Sequence, residues 1–194
     1  MEPLSVPSGP SQAYVMGVDG STNCVAIRLI GEDYSDQLDQ FEELLQTEFT
    51  KDQSQPIKTG MMCVAYYKQR FSRAQIISIE DEQVRCFFPD HAQIDSLNLA
   101  YLRPLDPEVN RKLPYQALAV SLHGLEHIAE NTTAISTLLD FTRGVICVAI
   151  PTFWNRYDSV LSVVLFDSTG YFNINEAIRI RCRQSRSNIS PRGL

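Results

Sequence analysis

Residues 60–105 read GMMCVAYYKQRFSRAQIISIEDEQVRCFFPDHAQIDSLNLAYLRPL. Four short apolar runs stand out: MMCVAYY (61–67), FSRAQIISI (71–79), QVRCFF (83–88) and a brief stretch at 94–97. The polar pieces KQR, EDE and PDHA separate them, each the size of a turn. Runs this short, rich in β-branched and aromatic residues and this evenly spaced, predict the strands of a small barrel.

The flanks have a different texture. Upstream, AYVMGV (13–18) and CVAIRLI (24–30) surround DGSTN (19–23), a strand pair around a hairpin turn. Tyr34, Leu38, Phe41 and Leu45 then recur at helical spacing, with Asp36, Asp39, Glu42 and Glu43 assigned to other faces and Asp33 or Ser35 as the expected cap. KDQSQPIK (51–58) reads as a polar linker. Downstream, YQALAVSLHG (115–124) alternates and stops at Gly124. A second helix is predicted over 132–142, capped by Asn131 and closed by Gly144. GVICVAIP (144–151) and SVLSVVLFD (159–167) have the composition of buried strands, and Gly170 turns the chain into FNINEAIRI (172–180). The order is β-β-α, a barrel, then β-α-β-β and a last segment. The expected fold class is mainly β with helices (α+β), with a barrel set between two halves of a mixed lobe.

Length and composition bound the rest. At 194 residues, 44% apolar and 21% charged, the chain can bury a real core and is neither disordered nor fibrous. No window approaches the ~20 apolar residues of a membrane span. The first twelve residues lack the basic and apolar regions of a secretory leader, so an intracellular protein is expected. The five cysteines (Cys24, Cys63, Cys86, Cys147, Cys182) form no CxxC pair and read as reduced, mostly buried thiols. His123 and His127 are four apart but are split by Gly124, which argues against a metal pair. The net charge of −6 is uneven: residues 1–60 hold ten acids and three bases, while 179–192 hold five arginines and no acid. An acidic body with a basic end favours cationic ligands on the body.

Within residues 60–105 the motif order resembles a Tudor domain. Gly60, Cys63-Val64-Ala65, Tyr67 and Phe71-Ser72-Arg73-Ala74 are similar to the family's opening. Phe87-Phe88, Pro89-Asp90-His91-Ala92-Gln93 and Leu102-Arg103-Pro104-Leu105 follow in the family's order, the second standing where it has Asp-Tyr-Gly-Asn. LPYQALAVSLHGL (113–125) and VVLFDSTGYFNINEAI (163–178) resemble the segments that follow the barrel in extended Tudor domains. The resemblance covers about residues 13–182. It implies a Tudor SH3-like β-barrel inserted into a split staphylococcal-nuclease-like (OB-type) lobe. The implied segments are a disordered lead-in (1–12), the first lobe part with the connecting helix (13–58), the barrel (59–105), the second lobe part (106–183) and a basic flexible tail (184–194).

Extended Tudor domains hold arginine-rich tails, often symmetrically dimethylated, in a cage of four aromatic rings with an asparagine as acceptor. Carried over by position, the cage-equivalent residues are Tyr67, Ser72, Phe88, His91 and Gln93, with Phe71 and Asp90 in support. Ser72 has no ring, His91 is a poorer π donor than tyrosine, and Ala92 stands in the glycine position. The resemblance therefore implies an interaction module with a degenerate methylarginine cage and weak or no methyl selectivity. Strand alternation turns Phe71 to the face opposite Ser72.

No nucleophile elbow or phosphate-binding loop occurs, and Asp19, Asp158 and Asp167 are scattered acids without a patterned arginine partner, so no enzyme, cofactor or metal is expected. The expected partner is an arginine-containing tail of an Argonaute/PIWI-class or other ribonucleoprotein (RNP) protein. The setting that the resemblance implies is small-RNA silencing or germ-granule assembly in the cytoplasm, with perinuclear ribonucleoprotein granules as one option and no membrane contact. A scaffold with an unused cage and an RNA-binding module using the basic tail are the alternatives; the sequence leaves RNA binding and oligomeric state open.

Overall fold

The computed structural model describes residues 4–51, 55–155 and 160–187. Two compact units emerge, one of residues 1–5 and 30–117, the other of 6–29 and 118–194. The chain thus leaves the second unit, completes the first, and returns.

The first unit holds the barrel strands. β3 (Met62–Tyr67), β4 (Arg70–Glu80), β5 (Gln83–Phe88) and β6 (Gln93–Asn98) form a continuous antiparallel meander, and β7 (Leu102–Pro104) pairs on the far side of β3. The sheet order is β6-β5-β4-β3-β7. One face packs Cys63, Ala65, Ala74, Ile76, Val84, Cys86, Phe88, Leu97 and Leu102 into a core. The other face of β3 presents Val64 to helix α1 (Ser35–Phe49), whose Leu38, Phe41 and Leu45 join Leu105, Val109 and Leu113 in a second cluster. Residues 106–117, expected in the second lobe part, therefore pack with the barrel strands, as does the connecting helix. Helix α1 starts without a side-chain cap: Tyr34 is the N-cap, and Ser35 Oγ accepts from the Gly31 N–H at 3.0 Å. A short helix, α2 (Pro107–Asn110), is capped by Asp106.

The second unit is a closed barrel in the order β1-β2-β8-β10-β9. Here β1 (Ser11–Asp19) pairs antiparallel with β2 (Cys24–Leu29), and β10 (Val160–Phe166) runs parallel to β8 (Ala117–Leu122) and antiparallel to β9 (Cys147–Asn155). Helix α3 (Thr132–Thr142) is capped by Asn131, whose side chain accepts from the Ala134 N–H. The last segment is helix α4 (Ile174–Ser187). Residues 184–187, expected in a flexible tail, are thus helical, and Ser11 and Gln12, expected in the lead-in, are strand. Residues 188–194, including the Arg192-Gly193 pair, lie outside the described residues.

Four cysteines (Cys24, Cys63, Cys86 and Cys147) are buried and Cys182 is half-exposed, all with free thiols. Burial, with the neighbouring Cys86 adding to it, pushes Cys63 up to about 12, and burial pushes Cys86 up to about 11. Neither forms thiolate at neutral pH, and the thiolate is the nucleophile. Alkylation of the native protein is expected to modify Cys182 first and to leave Cys63 and Cys86 intact until denaturant is added. Peptide mapping after timed labelling checks this; early labelling of Cys63 would contradict the packing.

Candidate functional site

The cage-equivalent residues all belong to the barrel unit. Tyr67 ends β3, Ser72 lies near the start of β4, Phe88 ends β5, His91 lies in the turn into β6, and Gln93 begins that strand. Pairing of Ala65 with Ser72 and of Phe88 with Gln93 brings them to one end of the sheet.

The ring set is closed upon itself. Phe88 is fully buried within the barrel core and stacks on Tyr67, with ring centroids 4.7 Å apart and planes 24° from parallel. A flat cation held between two rings needs them about 7 Å apart, twice an ordinary carbon contact. The free face of Tyr67 carries Lys68 Nζ, 4.7 Å from the centroid. Lys68 (φ 47°) and Gln69 (φ 65°) are both left-handed, forming the two-residue mirror-image turn that joins β3 to β4. Phe71 faces away from Ser72, against Phe49 at 5.2 Å and Tyr66 at 5.0 Å.

Polar groups fill the place of the missing rings. Tyr67 donates its hydroxyl to Asp95, and Gln93 Nε2 donates to Tyr67 Oη at 2.8 Å and to Asp95 Oδ2 at 3.2 Å. These bonds, the Tyr67 hydroxyl foremost, hold the Asp95 carboxyl below its usual range, so it stays ionised at neutral pH. On the other side Glu42 reaches in from α1. Its carboxylate lies 3.5 Å from Ser72 Oγ, 3.5 Å from His91 Nε2 and 3.6 Å from Arg70 Nη1. The helical stripe through Leu38 and Phe41 hid this residue in the sequence. The available signal was its position four residues after Leu38, at the edge of the buried face.

Asp90 does not face a ligand. It is buried against Arg73, which is itself fully buried, and forms a two-pronged pair with Nε and Nη2, both at 2.7 Å. Arg73 also donates to the carbonyls of Asn110, Leu113 and Pro114, which satisfies all five guanidinium donors. The rings of Phe41 and Tyr115 lie 4.8 and 4.7 Å from its central carbon. Asp90 Oδ1 accepts once more, from the Gln116 N–H at 2.9 Å. The expected ligand support is a structural rivet that ties β4, the β5–β6 turn and residues 110–116 together.

Ala92 has φ 47°, so the turn keeps the left-handed conformation that the family's glycine adopts without strain. A left-handed alanine costs about 1–2 kcal/mol, part of which glycine returns as unfolded-chain entropy. Ala92→Gly is expected to stabilise the chain by about 0.5–1 kcal/mol, read as a rise in thermal midpoint. A fall would mean that the methyl packs favourably.

Elsewhere the candidate features do not assemble. Among the described residues no group of three or more His, Cys, Asp or Glu could hold a metal, and no helix is long and apolar enough to cross a membrane. On α4, Arg179 pairs with Glu176 at 3.1 Å and Arg181 with Asp140 at 3.4 Å.

A five-stranded antiparallel sheet packed with a helix, carried by a chain that also builds a five-stranded closed barrel from the segments on either side, is the extended Tudor architecture. The Tudor domain family model matches residues 6–124, and the chain belongs to that family. Among solved structures it is similar to the human TDRD1 extended Tudor domain in complex with a symmetrically dimethylated E2F peptide (TM-score 0.74, 16% identity, 92% of both chains covered). It also resembles the Drosophila melanogaster Papi extended Tudor domain in complex with a Piwi N-terminal R10me2s peptide (TM-score 0.66, 17% identity, 90% of this chain and 98% of that one). Among curated proteins, Tudor domain-containing protein 7 of Xenopus laevis is 30% identical over 178 residues, 89% of this chain and 16% of the relative. Tudor domain-containing protein 7A of Danio rerio is 27% identical over 195 residues, 97% of this chain and 18% of the relative. The chain therefore spans about one sixth of the length of these relatives.

Proposed function

We propose that this chain is a non-enzymatic interaction module that captures an arginine-bearing tail of an Argonaute/PIWI-class or other RNP protein, with little or no preference for methylated arginine. It would serve as an adaptor in small-RNA silencing or germ-granule assembly, in cytoplasmic granules. The observation that carries the reading is the Tyr67–Phe88 stack at 4.7 Å, which leaves no slot for a methylated guanidinium between rings. Around it stand acceptors instead: ionised Asp95, the Gln93 carbonyl, and Glu42. Carboxylates favour a guanidinium that keeps all its N–H donors, whereas rings favour one carrying methyls. The structural neighbours that bind dimethylarginine peptides, Piwi among them, support the ligand class.

Titration of the 15N-labelled chain with a short arginine-glycine peptide tests this. Amide shifts are expected at Tyr67, His91, Gln93 and Asp95, and none with the same peptide carrying alanine for arginine. Shifts confined to α4, or equal shifts with both peptides, would contradict the reading.

A further inference from the structure

We infer that Glu42, on the connecting helix, is the guanidinium anchor of this site, and that Arg70 is a place-holder from the chain itself which the ligand arginine displaces. The inference rests on the arginine-reading function proposed above and identifies the residue that sets its selectivity. Glu42 has a side chain only 11% exposed, and three donors converge on it, from Ser72, Arg70 and His91. All three stand at 3.5–3.6 Å, the outer edge of hydrogen-bond range, where a paired carboxylate and guanidinium ordinarily approach to about 2.7–2.9 Å. The carboxylate is thus contacted but not well filled. One of its three neighbours is a guanidinium on a side chain 63% exposed, which can swing away into water. The companion cation, Lys68, covers Tyr67 from the same two-residue turn.

Two of the chain's own cations therefore occupy the places where a ligand cation would make its charge-assisted and cation–π contacts. A ring at position 72 would contact methyl carbon. Serine there leaves room for a carboxylate, and a carboxylate gains nothing from methyls and depends on N–H groups. Symmetric dimethylation replaces one N–H on each terminal nitrogen by a methyl, which removes donors from Glu42 and sets carbon against a charge.

Calorimetry with matched plain and symmetrically dimethylated arginine peptides, on the whole chain and on Glu42→Gln and Arg70→Ser variants, tests the assignment. Glu42→Gln is expected to weaken the plain peptide about tenfold and to leave the dimethylated one within about twofold. Arg70→Ser is expected to strengthen the plain peptide about threefold. A purely structural defect would weaken both peptides in proportion, so equal loss overturns the anchor. If the whole chain binds plain arginine and Glu42→Gln binds it equally, the anchor falls and the arginine-reading function stands. If only Arg70→Ser binds, the place-holder is supported; if no form binds either peptide, both readings fall.

Discussion

Replacing Arg73 by alanine is expected to remove about 3–5 kcal/mol of folding stability, the largest effect of any single polar change in the barrel unit. The expected loss follows from what is left behind. Asp90, 2% exposed, would lose its opposite charge, the only one it pairs with among the described residues, and keep one backbone donor, the Gln116 N–H. The carbonyls of Leu113 and Pro114 would also lose a short donor each. Asp90→Asn retains the shape but removes the charge that Arg73 needs, so a comparable loss is expected. The paired change Arg73→Met with Asp90→Leu is expected to recover part of either loss, because no charge remains stranded in the interior. Urea melts of the four forms check this. A loss under about 1 kcal/mol for Arg73→Ala would show the pair to be solvated and of the weak surface kind.

Phe88→Ala is expected to cost about 3–5 kcal/mol of stability, as truncation of a fully buried phenylalanine does. The change discriminates between two roles for one residue. As an open cage wall, Phe88 would contribute about 0.5–2 kcal/mol to ligand affinity and little to folding. As a core ring stacked beneath Tyr67, it belongs to the buried cluster of the barrel strands, and its removal would leave a cavity in that cluster. Phe88→Leu, closer in volume, should lose much less. Chemical melts of both variants decide it; wild-type stability in Phe88→Ala together with lost peptide affinity would restore the wall.

These two residues also show how much of the molecule was legible from sequence. The element order was readable because alternation and helical spacing are local. MMCVAYY, FSRAQIISI and QVRCFF became β3, β4 and β5, and Asn131 caps α3. The inserted barrel followed from four motifs in order. The side-chain partnerships were not readable, because they join residues far apart in the chain. Arg73 and Asp90 are 17 residues apart, and Arg73 reaches 41 residues to Pro114. Motif position makes Phe88 a cage wall, but a motif does not say whether two rings stand apart or touch. Helical spacing puts Glu42 off the apolar face of α1, since nothing local reveals that Ser72, 30 residues on, leaves space for it. Residues 106–117 read as lobe for a related reason: strand order predicts connectivity, while packing of Val109 and Leu113 with Val64 is decided in three dimensions.

The closed ring pair and the carboxylates around it support the proposal that this module reads the charge and donors of arginine and not its methyl groups. Calorimetric titration of the intact chain with two peptides of identical sequence, one with plain and one with symmetrically dimethylated arginine, tests it most directly. The plain peptide is expected to bind at least as tightly as the dimethylated one. A preference of tenfold or more for the dimethylated peptide, about 1.4 kcal/mol, would require an open aromatic cage and would contradict it.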